Sequence, residues 1–270
     1  MKLTICGAAG TVTGSCHLVE LENGLKILLE CGLYQGSDED FASFNEEWIF
    51  EPESIDVVIL SHAHIDHSGR LPKLVKDGFQ GEIISTHATR DLCAIMLMDS
   101  AYIQEQDAKF ESKRSGEKKE PLYTIEDAQE SIERFVGISY NHWYKVADNV
   151  SLLFRDAGHI LGSATVTLKI NEGGQEKVLG FTGDVGRPDR PILRDPKPMP
   201  DADLLICEST YGGEKHQDLP DDEKRFLDII QRTCVNQKGK LLIPAFSVGR
   251  TQEIIYMLDR LETAGKLPKV

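Results

Sequence analysis

The sequence predicts an α/β fold in which two mixed sheets pack face to face and helices cover them. Three observations support this prediction. Short apolar runs bounded by turn residues recur along the chain and are typical of buried strands. Paired runs around Asn23-Gly24 and around residues 171–174 predict antiparallel hairpins. Segments of helical periodicity lie between these hairpins, so the patterns together indicate a layered sandwich.

The predicted strands share β-branched and aliphatic residues enclosed by turn residues. Asn23-Gly24 lies between two of them and is the strongest short hairpin signal available. A later pair is joined by Asn171-Glu172-Gly173-Gly174. The predicted strands cover residues 2–6, 15–21, 25–30, 55–60, 81–86, 150–156, 165–170, 177–182, 203–207 and 241–244.

Helices are predicted where apolar residues recur at helical spacing. Pro72 falls in the first turn of one helix, where proline is tolerated, and Thr124 is a suitable N-cap for another. Gly249-Arg250 opens the last helix. The predicted helices cover residues 70–77, 88–118, 125–135, 221–237 and 249–264.

Composition limits the function classes. The 270 residues include 30 basic and 44 acidic side chains, a net charge of −14, which argues against a broad surface for nonspecific nucleic-acid binding. A nucleic-acid substrate is still compatible with this charge, because a metal pair and a few local basic residues can hold phosphates in a cleft.

Cysteine usage and hydropathy indicate a soluble cytoplasmic protein with no membrane partner. The six cysteines are scattered and none forms a C-x-x-C pair, so we expect buried free thiols in a reducing compartment. No apolar run reaches the length of a membrane span, and the N-terminal residues lack the pattern of a signal peptide. A homodimer is one expectation for the oligomeric state.

The most informative segment follows the predicted strand over residues 55–60. It reads Ser61-His62-Ala63-His64-Ile65-Asp66-His67 and places four metal-ligand side chains within six residues. Imidazole suits zinc, and an oxygen ligand beside it is compatible with zinc, manganese or iron. Two histidines alone could be surface residues, but the addition of Asp66 and His67 is hard to explain without a metal ion. The segment therefore predicts a metal site.

Two later residues are candidate ligands because each follows a predicted strand. His159 lies in the glycine-rich run Gly158-His159-Ile160-Leu161-Gly162, and Asp184 lies in Thr182-Gly183-Asp184. Taken alone, His159 could be a loop histidine with a backbone partner, and Asp184 a turn residue. A metal site gathers ligands from several strand ends, so their positions favour joint ligation with the first segment.

The H-x-H-x-D-H run, the later Gly-His and the Thr-Gly-Asp together resemble the metallo-β-lactamase superfamily. The resemblance implies an αββα sandwich with two zinc ions at one edge, or manganese in their place, and a hydroxide that bridges them. It further implies that Asp184 bridges the two ions. The other implied ligands are His62, His64 and His159 for the first ion, and Asp66 and His67 for the second.

The resemblance also implies an acidic residue after the first hairpin. Glu30 occupies this position in Leu28-Leu29-Glu30-Cys31-Gly32, where aspartate is usual. We expect Glu30 to orient the metal ligands, because carboxylates behind ligating histidines fix the orientation of their rings.

The residues after 200 resemble the β-CASP group of this superfamily, which acts on nucleic acids and includes ribonuclease J and the endonuclease of the cleavage and polyadenylation machinery. The segment around Glu208 resembles the acidic motif that opens a β-CASP region, and residues 242–253 resemble its next strand and helix. Alternatively, Glu208 is an ordinary strand-end carboxylate and Gly249-Arg250 a simple helix start. The implied domains are a metallo-β-lactamase domain over residues 1–210 and the beginning of a β-CASP domain over 211–270.

The resemblance implies a metal-dependent phosphodiester hydrolase, a ribonuclease acting on single-stranded RNA. Asp66 and Asp184 would ligate and align the attacking water, and Glu208 would support a general-acid histidine. Arg250, at the start of a helix, could receive a phosphate. RNA and DNA, and endo- and exonucleolytic cleavage, stay open at this stage.

The general-acid histidine of the β-CASP group, and the last histidine of its second metal, are not visible in this sequence. His17 lies in the first hairpin, His87 begins a helix, His142 precedes Trp143, and His216 lies in a polar loop. We therefore expect the chain to be the front part of a longer protein, with a weakly held second metal. Two tightly bound metal equivalents would contradict that expectation.

Two other functions stay open. A generic hydrolase of esters, lactones or thioesters could use the same metal pair, but Glu208 and the helix at Gly249-Arg250 would then have no obvious purpose. A noncatalytic RNA-processing subunit is the second alternative. All six candidate ligands named above are present, and the acidic net charge also disfavours a pure binding role.

Overall fold

The computed structural model describes residues 1–36, 40–215 and 222–269. These form two compact units. The first contains Met1–Asp189 and Arg194–Glu208, and the second contains Arg190–Leu193 and the described residues after Glu208. The expected boundary between two domains at residue 210 stays a prediction.

The first sheet has six strands in sequence order. Its first three strands are antiparallel, and the hairpin at Asn23-Gly24 is confirmed, with His17 opposite Leu29. The next three strands are added in parallel. The strands are β1 (Lys2–Ile5), β2 (His17–Glu20), β3 (Lys26–Leu29), β4 (Val57–Ile59), β5 (Glu82–Thr86) and β6 (Phe135–Ile138).

The second sheet has five strands in the reverse of their sequence order. Neighbouring strands are antiparallel except for the last, which joins its neighbour in parallel. The predicted hairpin at residues 171–174 is confirmed. The strands are β7 (Tyr144–Ala147), β8 (Val150–Asp156), β9 (Ala164–Glu172), β10 (Gln175–Phe181) and β11 (Leu204–Ile206).

The two sheets share one apolar core. Side chains from the first sheet, such as Leu29 and Ile59, pack with Leu152, Phe154 and Val166 from the second. All five are fully buried. Burial of one such side chain stabilises the fold by about 1.5–3 kcal/mol, so this layer is a principal source of stability. The predicted sandwich of two mixed sheets is confirmed.

Helices cover the first sheet. The third to fifth helices pack on one another, and the fourth contacts β5 and β6. The predicted cap at Thr124 is confirmed, because its hydroxyl accepts a hydrogen bond from the Asp127 N–H and its own N–H donates to the Asp127 carboxylate. The helices of the first unit are α1 (Asp40–Glu46), α2 (Ile65–Ser68), α3 (Leu71–Lys76), α4 (His87–Ser115) and α5 (Ile125–Glu133), with a 3₁₀ turn at Pro52–Ser54.

The second unit is helical in its described part. It contains α6 (Asp222–Ile230), a π-helical turn at Gln231–Asn236, and α7 (Arg250–Thr263), which confirms the last predicted helix. An ion pair of 2.9 Å joins Lys266 Nζ to Glu223 Oε1 across this unit. Among the described residues, no helix is long and apolar enough to cross a membrane.

Several predicted elements were wrong. The predicted helix over 125–135 ends at Glu133. Phe135 begins β6 instead, because residues from Phe135 onward form strand hydrogen bonds with β5. Residues 241–244 form no strand in the described part of the second unit, where Leu242 is 85 % exposed. A single extended run needs a neighbouring strand to complete its backbone hydrogen bonds. The short elements β7, α1 and α2 were not predicted.

The cysteines are free, as expected, but only half of them are buried. Cys16, Cys31 and Cys93 are buried, Cys6 and Cys234 are partly exposed, and Cys207 is exposed. The expectation of buried thiols is therefore confirmed for three cysteines and was wrong for the other three. The apolar appearance of a strand does not reveal whether its edge is covered.

Candidate metal centre

The candidate ligands meet at one edge of the sandwich because of the strand directions. β3 and β4 are parallel, so Glu30 and the 61–67 segment emerge at the same end of the first sheet. In the second sheet β8, β10 and β11 run in the same direction, so His159, Asp184 and Glu208 emerge together. Loops that are distant in the sequence thus supply one site.

Four side chains form the first ligand group. His64 Nδ1 lies 3.2 Å from His62 Nε2 and 3.1 Å from His159 Nε2. Asp184 Oδ2 lies 3.8 Å from His62 Nε2 and 3.4 Å from His159 Nε2. All four donor atoms lie within 4.8 Å of one another.

These separations fit a metal ion. Donors bound tetrahedrally at zinc distances lie about 3.3 Å from one another, close to the separations found here. Hydrogen bonds explain the cluster less well. His64 Nδ1 has either one proton or one lone pair, so it can bond to only one of its two nitrogen neighbours. Three ring nitrogens and a carboxylate that converge in this way could hold a divalent metal ion.

A second ligand group shares Asp184. His67 Nε2 lies 3.4 Å from Asp184 Oδ1 and 3.6 Å from Asp66 Oδ2. Asp184 thus presents Oδ2 to the first group and Oδ1 to the second. His67 thus lies close to both other residues expected for the second ion, and ligation of that ion by these three residues stays a prediction.

Glu30 supports the ligands from behind. It is fully buried, and its φ of +64° is in the left-handed region, which non-glycine residues seldom adopt. Its Oε1 accepts a hydrogen bond of 2.6 Å from the Ser61 N–H, and its Oε2 accepts one of 2.7 Å from His67 Nδ1. The Ser61 hydroxyl donates to Glu30 and accepts from His62 Nδ1 at 2.9 Å. Both rings are therefore left with Nε2 facing the ligand groups.

Burial adjusts the protonation of these groups. It lowers the pKa of His64 to about 4, and it also lowers the pKa values of His62 and His159. These imidazoles are neutral at pH 7 and have free lone pairs, as metal ligation requires. Burial opposes the charge on His67, but the Asp184 and Glu30 carboxylates outweigh it and raise the pKa of His67 to about 10 in the metal-free protein.

The loop that carries His159, residues 157–163, is attached to the start of α4. The carbonyl oxygen of Gly162 accepts hydrogen bonds from the Thr86 hydroxyl at 2.7 Å and from the Thr89 hydroxyl at 2.9 Å. Gly162 has φ +86°, and a Cβ there would lie 2.5 Å from the Thr89 nitrogen. Within the loop, Ser163 Oγ accepts from the His159 N–H at 3.0 Å. Sequence reasoning missed these three polar residues.

Glu208 lies beside the Asp184 turn. Its Oε1 accepts a hydrogen bond of 2.9 Å from the Val185 N–H, and its own N–H donates to Thr182 Oγ1 at 3.1 Å. These bonds hold the residues on either side of Asp184. Support of a general-acid histidine by Glu208 stays a prediction.

Arg250 belongs to the second unit. Its Nη1 lies 3.2 Å from Glu253 Oε2, and its side chain is 58 % exposed. Gln252 Oε1 accepts the Gly249 N–H at 2.7 Å. The positive charge of Arg250 and the N–H of Gly249 at the start of α7 thus already have partners in its first turn. Phosphate binding by Arg250 stays a prediction.

The remaining histidines lie in other places. His17 is buried against the Phe181 ring, with centroids 5.4 Å apart, and its Nδ1 has no hydrogen-bond partner among the described residues. His87 is the first residue of α4, and His142 lies in the turn between β6 and β7. His216 lies outside the described residues.

Comparison with known proteins agrees with this geometry. The family model of the metallo-beta-lactamase superfamily domain matches residues 18–179. The chain is 38 % identical over 258 residues to Ribonuclease TTHA0252 of Thermus thermophilus, covering 96 % of this chain and 54 % of that protein. It is 31 % identical to Transcription termination factor FttA of Methanosarcina mazei, covering 100 % of this chain and 41 % of that protein.

A eukaryotic relative has an identity between these two values. The chain is 36 % identical over 262 residues to Cleavage and polyadenylation specificity factor 73 of Drosophila melanogaster, covering 96 % of this chain and 36 % of that protein. The chain thus spans about half, or less, of the length of these relatives. The β-CASP resemblance of the sequence is confirmed by these matches. Because the family model matches residues 18–179, the chain belongs to the metallo-beta-lactamase superfamily.

Proposed function

We propose that the chain carries the metal centre of a phosphodiesterase that cleaves single-stranded RNA with two metal ions. The observation that carries the proposal is the position of Asp184, whose two oxygens face two different ligand groups at 3.4–3.8 Å. Paired ions that share a bridging ligand are suited to in-line displacement at phosphorus. A relative named as a ribonuclease, 38 % identical, supports RNA as the substrate.

Each residue near the ions has a separate task in this proposal. The ions, when bound, lower the pKa of a water and neutralise charge on the phosphate. Asp66 and Asp184 hold and align the site, and the Asp66 side chain is still 20 % exposed, so the second group is open to solvent and substrate. Glu30 keeps His62 and His67 in their ligating orientation, and Glu208 holds the Asp184 turn.

Zinc is the proposed metal, with manganese as the alternative. Three histidine nitrogens in the first group favour zinc, because imidazole suits zinc better than the oxygen ligands that manganese prefers. The second group, with two carboxylates and one histidine, is less selective. Elemental analysis after dialysis against each metal would compare the two.

The proposal is tested with labelled single-stranded RNA and the full-length protein. We expect cleavage that a chelator abolishes and that added zinc or manganese restores. Asp66→Ala should reduce cleavage by at least about 100-fold, because it removes a ligand of the second ion. Asp148→Ala is the matched control, since Asp148 is 97 % exposed at a turn of the second sheet and should keep full activity.

Three results would contradict the proposal. Cleavage that persists in chelator would exclude a metal mechanism. Chelator-sensitive hydrolysis of a thioester or lactone without RNA cleavage would favour the small-ester hydrolase that the sequence left open. Binding of RNA without any hydrolysis would favour a noncatalytic subunit.

A further inference from the structure

Two thiols face each other at the end of β1 and the start of β2. The register pairs Ile5 with His17, and the next step places Cys6 opposite Cys16. The Cys6 N–H donates to the Cys16 carbonyl oxygen at 2.8 Å, which shows that the pairing continues to these residues. Directly opposite residues in antiparallel strands have Cα atoms about 4.5–5.5 Å apart, within the range that a disulfide spans.

The two thiols differ in access. Cys6 is partly exposed, so a small oxidant can reach it, whereas Cys16 is fully buried. The neighbouring Cys16 thiol lowers the pKa of Cys6, and the same contact, with burial, raises the pKa of Cys16. Cys6 is therefore suited to react first and Cys16 to react second, because the thiolate is the nucleophile.

The pair lies at the base of the loop over residues 7–15, next to the metal centre. The Ser15 N–H donates to the Asp66 carbonyl oxygen at 2.9 Å, and the Ser15 carbonyl accepts from the Gly32 N–H at 2.8 Å. The neighbour of Cys16 thus holds the backbone of a candidate ligand. A cross-link between Cys6 and Cys16 would close this loop at its base.

We propose that Cys6 and Cys16 are a modification site that forms a reversible intramolecular disulfide on exposure to peroxide. The Cys6 thiolate attacks hydrogen peroxide, which gives a sulfenic acid and releases hydroxide. The Cys16 thiol then displaces the sulfenic oxygen as water and forms the S–S bond. Two thiols lose two electrons in total, and peroxide takes up these electrons and two protons to become two water molecules.

The other cysteines of the first unit do not offer this combination. Cys31 is fully buried, and burial raises its pKa to about 12. Burial also raises the pKa of Cys93, which lies on the covered side of α4. Cys207 is exposed, and its thiol contacts the Glu208 carbonyl at 3.3 Å. Exposure and a facing thiol occur together at Cys6 within the described first unit.

The test is peptide mapping of the full protein after treatment with hydrogen peroxide. We expect the single peptide that contains both Cys6 and Cys16 to be two hydrogen masses lighter than its reduced form, a change that dithiothreitol reverses. The cross-link encloses a short loop, so the oxidised protein should melt about 5 °C higher. Cys6→Ser should abolish both effects, and Cys207→Ser, at an exposed position, should keep both.

Other outcomes would overturn the proposal. A linked peptide that joins Cys6 to Cys31, or Cys6 oxidised to the sulfinic acid while Cys16 stays reduced, would show that the facing geometry does not direct the reaction. The proposal would also fail if both thiols stayed reduced after the peroxide treatment. The mapping needs no variant and no activity, so its result is independent of the proposed nuclease function.

Discussion

At the scale of single residues, Asp184 has the largest predicted effect. Asp184→Asn replaces one of two oxygen donors with an amide nitrogen and removes the charge between the ligand groups. We expect the bound metal to fall by at least one equivalent and RNA cleavage to fall by at least about 100-fold. Elemental analysis and the RNA assay measure the two effects. Asp201→Asn, at an exposed position of a later segment, is the control.

Replacement of Glu30 should affect both the stability of the fold and the affinity for the metal. Glu30→Gln keeps the size of the side chain but turns a donor amide toward groups that already donate hydrogen bonds. A buried group left unsatisfied costs about 1–3 kcal/mol, and loss of a partner behind a ligand weakens metal affinity about 10–100-fold. Urea denaturation and zinc competition titration measure these changes.

The control for Glu30 is Glu20→Gln. Glu20 forms a surface ion pair of 2.6 Å with Lys2, which contributes little to stability. Unchanged zinc affinity in Glu30→Gln would show that the histidines keep their orientation without this carboxylate.

At the scale of elements, the start of α4 positions the His159 loop. Thr89→Val keeps the shape of the side chain and removes one of the two hydroxyl donors to Gly162. We expect zinc affinity to fall about 10-fold, as for other partners behind ligands, while Thr89→Ser keeps it. Thr167→Val is the matched control, because the buried Thr167 hydroxyl has no hydrogen-bond partner among the described residues and its loss should not destabilise the fold.

A competition titration with a zinc-binding dye compares these threonine variants. Equal affinity in Thr89→Val and Thr167→Val would show that α4 does not position the loop. A loss of affinity in Thr89→Ser as large as in Thr89→Val would show that the hydroxyl bond to Gly162 does not set the zinc affinity, because serine keeps this hydroxyl.

The elements also show what sequence patterns can predict. Hairpins were predicted correctly where the turn residues lie next to the strands that they join. The end of α5 was missed because the apolar Phe135 fits both a helix and a strand, and pairing with distant β5 decides between them. The ligands of the 61–67 segment could be predicted because, like the hairpin residues, they lie close together in the sequence. Thr86 could not, because its partner Gly162 lies 76 residues away.

At the scale of the whole molecule, metal binding should stabilise the folded state. The ligands come from loops after strands of both sheets, so they converge only after the sandwich has formed. Zinc at 100 times its dissociation constant would add about 2.7 kcal/mol to the free energy of unfolding. We expect the melting temperature to fall by at least about 5 °C in a chelator, measured by calorimetry.

His64→Ala is the control for this effect. It removes a ligand of the first group, so chelator should change its melting temperature much less. A chelator effect of equal size in this variant would show that the stabilising metal binds somewhere else. Metal content of the same samples would identify which of the two groups is filled.

The shared Asp184 has a thermodynamic consequence. Ordering this side chain costs conformational entropy, and binding of the first ion would already order it for both sites. Its free oxygen would then already face the second group. Each ion should therefore increase the affinity for the other by the same factor, as linkage requires. We therefore expect the second, weaker site to fill at a lower zinc concentration when the first site is occupied than when it is empty.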